Sequence, residues 1–329
     1  MQSRKSFREI AKECNVSPAT VSRIANGIGS FKSETKELVM SHLLREGYML
    51  KDLDEEARLR NIALAVTDLS NEIFCKIISH IRDELMKKGC LLSIYLERDN
   101  QEYLIKQLLQ SRTEGILFLS SPYEAVTYDL PVPCVHILGS ERCSITYKGK
   151  KYSVSSDDYV GGQLAAMELL RSGCKKPLIL NSRYMHSSVS PRVQGFMNEF
   201  IKAGAKEKDI IVYEAEPSKS SFNSASDAVS YLHTKGEDFD CIFACSDWRA
   251  YGALIALNNM HLRVPEDIKL IGYDGILISH YSQRPLTTIQ QNPDMLAASA
   301  VDTLMALMEG KRADETTLIP VQVQKGDTV

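Results

Sequence analysis

Ten consecutive residues of this 329-residue chain bring Ser17, Pro18, Ala19, Thr20, Ser22, Arg23 and Asn26 together. They combine short hydroxyls, an amide and a forked guanidinium, groups that hydrogen-bond phosphate oxygens; an arginine fork also pairs with the acceptor edge of guanine. Catalytic chemistry finds no comparable grouping. His42, His80, His136, His186, His233, His261 and His280 are dispersed without metal-ligand spacing, and neither a G-x-S-x-G elbow nor a phosphate-cradling glycine loop is present. Asp157 and Asp158 are adjacent, so their side chains point in different directions and make a poor acid–base pair. None of the eight cysteines forms a C-x-x-C, and they read as free thiols. Cys241 and Cys245 share one face of a strand, which leaves two readings there, core packing or a local metal pair. No catalytic residue, metal or cofactor is expected.

Helices must position the first group. Ser6 is suited to cap a helix in which Phe7, Ile10, Ala11 and Cys14 recur at helical spacing, and Asn15 to end it in a left-handed conformation. Ser17 caps a second, with Pro18 in the first position, where no N–H is needed, and Ala19, Val21, Ile24 and Ala25 carry it to about Asn26. Ser33 is expected to cap a third, with Glu34 at its positive end, running through Leu38, Val39, Leu43 and Leu44 to Gly47. Two helices joined by so short a turn form a helix-turn-helix, which the third covers. Charge is divided along the chain. Residues 1–51 hold nine Lys/Arg against five Asp/Glu, and residues 52–329 hold thirty against thirty-seven, within a net charge of −3. The basic head suits a polyanion.

The segment SFREIAKECNVSPATVSRIANG resembles the opening of lactose/galactose-repressor-type transcription factors, T-I-x-D-V-A-x-x-A-G-V-S-x-x-T-V-S-R-V-L-N, and S-E-T-K and R-E-G-Y follow in the family's order. The resemblance implies base-reading positions at Pro18, Ala19 and Arg23. It implies backbone-contacting positions at Ser6, Ser17, Thr20, Ser22, Asn26 and Ser33. Pro18 and Ala19 bring no donor to a base edge, so Arg23 is the direct reader, with a thymine methyl contact open to Ala19. The family's linker, Y-x-P-N-x-x-A-R-S-L, folds into a hinge helix on DNA. Here YMLKDLDEEARLRNI lacks the Pro-Asn pair and places Asp52, Asp54, Glu55 and Glu56 where phosphates repel them. Two readings stay open for residues 52–60: a shortened hinge, Ala57-Arg58-Leu59, with Leu59 as minor-groove wedge, or an acidic spacer.

From residue 60 onward, β-rich runs alternate with amphipathic stretches, the pattern of doubly wound parallel sheets. NIALAVTD, CLLSIYL, EGILFLS and CVHIL form one series; KPLILN, DIIVY, DCIFACSD and IKLIGYD form a second; PLTTIQQ and a helix over 293–309 return to the first. Residues 61–329 are therefore expected to be two-lobed, with lobe 1 over about 61–155 and 291–318 and lobe 2 over about 156–290 plus the C-terminal end. VTDLSNEIF, SDDYVGGQLA, SPRVQGF, ACSDWRAYGAL and IGYDG resemble the same family's body, which implies a periplasmic-binding-protein-like α/β fold. Carried over, its effector cleft comprises Ile73, Phe74, Asp157, Arg192, Asp247 and Asp274. Arg192 is a forked donor, the aspartates accept hydroxyls and Phe74 is a flat apolar face, a set suited to a sugar. Asp247 stands equally as a helix cap, as does Asp157 or Asp158 for the helix 159–172. Pro217 replaces an aromatic residue common in the family, which thins one wall. The basic turn Lys148–Lys151 reads as a hairpin tip.

The resemblance implies a homodimeric, ligand-responsive transcriptional repressor that binds double-stranded operator DNA and a sugar-like effector. A solute-binding sensor with weakened DNA binding, or a regulator with a nucleoside or phosphoprotein co-effector, are the alternatives. No apolar run reaches the roughly 18 residues of a membrane helix, and the start lacks a secretory stretch, so a cytoplasmic location with no membrane partner is expected.

Overall fold

A computed structural model describes residues 5–48, 59–96, 101–120, 127–139, 144–182, 190–215 and 220–329. The expectations for the acidic linker including Ala57, for His186 and for Pro217 lie outside the described residues. The chain divides into two compact units, residues 1–60 and 61–329.

The first unit holds α1 (Phe7–Glu13), α2 (Pro18–Ala25) and α3 (Ser33–Arg45). Ser6 opens α1 with a capping box: its Oγ accepts from Glu9 N, and the Glu9 carboxylate accepts from Ser6 N at 2.7 Å. Asn15 ends α1 with φ 51°, the left-handed turn that its short polar side chain tolerates. Ser17 Oγ accepts from Thr20 N at 3.0 Å and starts α2, with Pro18 at the first helical position. The third start differs from expectation. Lys32 occupies the cap position without a side-chain bond, and Ser33 is already the first helical residue. Ile10, Ala11, Cys14, Val21, Ile24, Ala25, Val39 and Leu43 form the core. Leu38 and Leu44, expected on the inner face, are exposed: each lies one residue, about 100° of helix, outside the Val39–Leu43 stripe. Tyr48 closes the bundle, its ring 4.8 Å from Phe7 and its hydroxyl donating to Lys5 O at 2.8 Å.

The second unit contains two six-stranded sheets. Lobe 1 runs β1 (Arg60–Val66), α4 (Glu72–Lys87), β2 (Cys90–Leu96), α5 (Gln101–Gln110), β3 (Gly115–Leu119), β4 (Thr127–Leu130), β5 (Cys134–Ile137), β6 (Ser144–Tyr147) and β7 (Ser153–Ser156). Lobe 2 runs α6 (Asp158–Arg171), β8 (Pro177–Ser182), α7 (Pro191–Lys202), β9 (Ile211–Ala215), α8 (Ser221–Thr234), β10 (Cys241–Ala244), α9 (Asp247–Asn259), β11 (Lys269–Asp274), α10 (Leu277–Tyr281) and β12 (Thr288–Gln290). The chain then gives α11 (Pro293–Met308) and β13 (Thr316–Ile319) to lobe 1 and β14 (Gln322–Gln324) to lobe 2. Strand orders are β13-β7-β5-β3-β1-β2 and β14-β12-β11-β10-β8-β9, while β4 and β6 pair separately. β13–β7, β7–β5, β5–β3 and β3–β1 of the first sheet and β9–β8, β8–β10, β10–β11 and β11–β12 of the second pair in parallel, and β12–β14 is antiparallel. The fully buried runs of β3, β5 and β10 follow from helices covering both faces.

Three strands of chain therefore cross between lobes side by side, and side chains and backbone bond them to one another. Asp157 N donates to Ile319 O at 2.9 Å, Ser156 Oγ to Gln291 Oε1 at 2.7 Å, and Gln322 Nε2 to Gln290 Oε1 at 2.9 Å. The Lys148–Lys151 segment is a tight turn: Tyr147 and Lys150 exchange backbone bonds, with positive φ at Lys148 and Gly149.

Candidate DNA-reading face and interlobe site

On α2, Val21, Ile24 and Ala25 point into the core, which leaves Pro18, Ala19, Arg23 and Asn26 exposed and Thr20 and Ser22 half-buried on the other side. The polar groups are held in register by their own helix. Ser17 and Thr20 share a hydroxyl–hydroxyl bond at 2.8 Å, and Asn26 Nδ2 donates to Ser22 O at 2.7 Å. Among the described residues Arg23 enters no ion pair, so its fork is free for a phosphate or a guanine edge. Ser6 spends its hydroxyl on the Glu9 box, and Ser33 is exposed on the first turn of α3. Leu59, exposed, directly precedes β1.

In the second unit the site begins with a helix contact made possible by two glycines. A Cβ on Gly162 would collide with Arg192 O, and one on Gly195 with Tyr159 O, so α6 and α7 pack backbone against backbone. That approach brings Arg192, in the first turn of α7, over α6. Ser190 caps α7 and Pro191 opens it. Arg192 is 7% exposed. Its Nη2 donates to Asp158 Oδ1 at 2.8 Å and Nη1 to Cys245 O at 2.6 Å, and its guanidinium lies 3.3 Å from the centre of the Tyr273 ring. Tyr273 Oη donates to the same Asp158 oxygen at 2.7 Å. Asp158 and Tyr273 were not singled out from sequence as members of this group. A signal existed for Asp158, whose position one residue after the cap turns it away from Asp157.

Asp274 ends β11 with φ 124°, a strained value for a residue with a Cβ. Its Oδ1 accepts from Gln291 Nε2 at 2.7 Å, and Gln291 in turn accepts from Ser156 Oγ, which ties the acid to the crossing strands. Burial pushes its pKa up to about 7, opposed by the Arg192 charge. Asp157 caps α6, accepting from Val160 N at 3.1 Å, and stays partly exposed.

Two residues carried over into the cleft do other work. Asp247 is completely buried, and both oxygens are occupied. Oδ2 accepts from Gly275 N, Ile276 N and Ser279 Oγ at 2.8–2.9 Å, and Oδ1 from Thr288 Oγ1 at 2.6 Å. These donors use its roughly four acceptor directions, so it braces the β11–α10 turn and offers a ligand nothing. Nor is it the cap of α9, which is Ser246. Ile73 is 2% exposed and packs with Ile77 and Ile81 in the lobe 1 core, while Phe74 is half-buried against the same core. The side chain available at that end of α4 is Glu72, whose Oε1 accepts from Leu277 N of lobe 2 at 2.6 Å and pairs with Lys76.

The Cys241–Cys245 reading changes partner. Both thiols are buried, and the neighbour of Cys241 is Cys174, with Asp240 completing a group whose ligand atoms lie within 4.8 Å of one another. The Asp240 oxygens already accept from Lys175 N and Lys176 N at 2.8 and 2.9 Å, so the group reads as a strand-edge brace. It borders a cavity of about 630 Å³ lined by Cys174, Lys176, Phe200 and Lys206, at the N-terminal edge of the sheet and away from the interlobe site.

A family model described as a periplasmic binding protein-like domain matches residues 166–329. The chain is 27% identical to the HTH-type transcriptional repressor PurR of Pasteurella multocida, over 95% of this chain and 94% of that protein. It is 26% identical to PurR of Haemophilus influenzae, over 91% and 90% respectively. In fold it is similar to the Lac repressor dimer bound to operator and the anti-inducer ONPF, with a TM-score of 0.75 over 99% of both chains at 22% identity. It is likewise similar to the transcriptional regulator CelR in complex with cellobiose, with a TM-score of 0.70 over 99% of this chain and 100% of that one at 20% identity.

Proposed function

Because the chain belongs to the lactose/galactose-repressor family of transcriptional regulators, we propose that it is a cytoplasmic, homodimeric repressor that reads operator DNA through α2 and binds a sugar-like effector between its lobes. The carrying observation is the capped α2 helix, whose exposed face presents Pro18, Ala19, Arg23 and Asn26, on the same chain as a two-lobed body with Arg192, Asp158 and Asp274 gathered at strand ends. Strand C-termini are where such folds take ligands. The relatives are transcriptional regulators, and the described residues at the strand ends suit binding rather than turnover: a fixed guanidinium, acceptors for hydroxyls and, among them, no nucleophile beside a base.

A ligand between the lobes acts by its differential affinity for open and closed arrangements. The three crossing strands are the element that must bend, and Ser156, Gln291 and Asp274 join them to the site. In a dimer, lobe movement resets the spacing of two heads over a palindromic site. Dimerisation is supported by exposed apolar side chains: Leu91, Ile94 and Leu96 on the edge strand β2, and Ile255, Ile278 and Tyr281 on lobe 2.

The test is selection of genomic fragments by the purified full-length protein, repeated with Arg23→Ala. The wild type is expected to enrich a palindromic site, and the variant to bind it about 5- to 150-fold more weakly, the loss of one guanine contact. No enriched site, or equal binding by the variant, would sink the DNA-reading assignment and favour a solute sensor.

A further inference from the structure

Within the interlobe site just proposed, and resting on that reading, one cation enters no ion pair among the described residues. Arg249 is the third residue of α9. Its backbone N–H and its Nη1 both donate to the cap oxygen Ser246 Oγ, at 3.4 and 3.0 Å. Its Nε is buried with no partner, and among the described residues it enters no ion pair. Burial disfavours its charge, and Arg192 disfavours it further. Asp274 attracts it without a hydrogen bond, being bonded to Gln291.

A second, separate observation lies at the same strand end. Asn181, 1% exposed at the C-terminal end of strand β8, has neither its amide nitrogen nor its amide oxygen bonded. It adjoins Cys245, whose N–H donates to Leu180 O at 3.0 Å and whose carbonyl accepts from Arg192. Arg192 Nε is also buried and unbonded. Around the end of β10, then, four buried polar atoms lack partners among the described residues: Asn181 Nδ2 and Oδ1, Arg192 Nε and Arg249 Nε. Buried polar groups are normally satisfied. Three of these four are donors, and the charge on Arg192 is already matched by Asp158, which leaves Arg249 with only the unbonded attraction of Asp274.

We infer that the effector is an anion, carrying a carboxylate or a phosphate ester that is held by Arg249, with Asn181 and Arg192 Nε completing its hydrogen bonds. A neutral sugar leaves the half-buried Arg249 guanidinium without an ion pair and its buried Nε without a partner. An oxyanion brings the acceptors and the negative charge that the donors lack, and guanidinium forks suit both kinds of oxyanion. Arg249 is thus a specificity-determining residue, while Asp274 and Asp158 remain the acceptors for hydroxyls.

The experiment is calorimetric titration of the full-length protein with D-ribose, ribose 5-phosphate, D-glucose, gluconate, glucuronate and glucose 6-phosphate, in the wild type and in Arg249→Met, Arg249→Lys and Asp274→Asn. At least one acid or phosphate ester is expected to bind tenfold or more tighter than its neutral parent, about the effect of one charge-assisted bond; which kind wins distinguishes carboxylate from phosphate. Arg249→Met should abolish that advantage and Arg249→Lys retain part of it. No anion outbinding its parent, or an advantage that survives Arg249→Met, overturns the inference. If only neutral sugars bind and Asp274→Asn removes them, the anion is wrong and the interlobe site stands. Binding indifferent to both Arg249→Met and Asp274→Asn fails the site as well. Without ligand, Arg249→Met should unfold at or above the wild-type midpoint, since it removes a half-buried cation with a buried, unbonded Nε; a midpoint lower by more than about 5 °C would show that a partner holds the guanidinium and would overturn the inference.

Discussion

Replacing Asp158 by alanine should be among the most damaging single changes in the body. Asp158 Oδ1 accepts from both Arg192 Nη2 and Tyr273 Oη. Removing it leaves a guanidinium that is 9% exposed with one carbonyl and one ring face, and a buried phenol with no acceptor. Deleting one member of a buried ion pair costs about 3–5 kcal/mol, because the remaining charge stays out of water. Asp158 keeps 21% of its side chain exposed, so some water reaches the gap and the expected loss is about 3 kcal/mol. For a body of this size that is a fall of roughly 6–12 °C in midpoint. The assay is urea and thermal unfolding followed at Trp248, the sole tryptophan, which lies in lobe 2 on α9. Arg192→Met in the Asp158→Ala background should recover about 2 kcal/mol, since no charge is then stranded. The reasoning is refuted if Asp158→Ala costs less than about 1 kcal/mol, or if the double variant is no more stable than Asp158→Ala.

Two further outcomes follow from the same structure. Ser17→Ala removes the bond to Thr20 N and should destabilise α2 by about 1 kcal/mol; amide exchange in the full chain should speed up over residues 18–25, and unchanged exchange there would refute the cap. Asp274 is held by burial at a pKa of about 7, against about 3.9 unfolded, so the folded state binds the extra proton between those values. Its contribution is complete below about pH 4 and is lost as pH rises through 7. Asp274→Asn should therefore flatten the decline in stability between pH 4 and 8, and an unaltered slope would contradict the assignment.

Much of the fold was legible because its signals are local. Ser6 and Ser17 sit one residue before an apolar period that only a helix satisfies, and their side chains bond within three residues. Asn15 and Gly47 stop helices for reasons of their own backbone freedom. The alternation of strand and helix after residue 60 led to two parallel sheets because parallel strands need crossovers. Ser33 was misplaced by one position because nothing local separates a cap from a first helical residue when Lys32 makes no side-chain bond. Leu38 and Leu44 fit the apolar count of α3, but a small head has room for one stripe, and Val39 and Leu43 fill it.

The interlobe site shows the other side. Sequence supplied Arg192 and Asp274, yet Arg192 finds its acid 34 residues away, and Asp158 finds its phenol 115 residues away. Asp247 looked like a ligand group and is a brace, because its four donors come from segments 28 to 41 residues further on. Arg249 carries nothing in its neighbourhood to mark it, and only the packed chain shows that, among the described residues, Asp274 attracts it without forming an ion pair. Local bonding is set by a residue's chain neighbours, so the sequence by itself determined the caps of α1 and α2, the strand alternation and the three-helix head. Charge pairing in a buried site is set by which groups exclude water and which are left unmatched, and only the tertiary structure decided that.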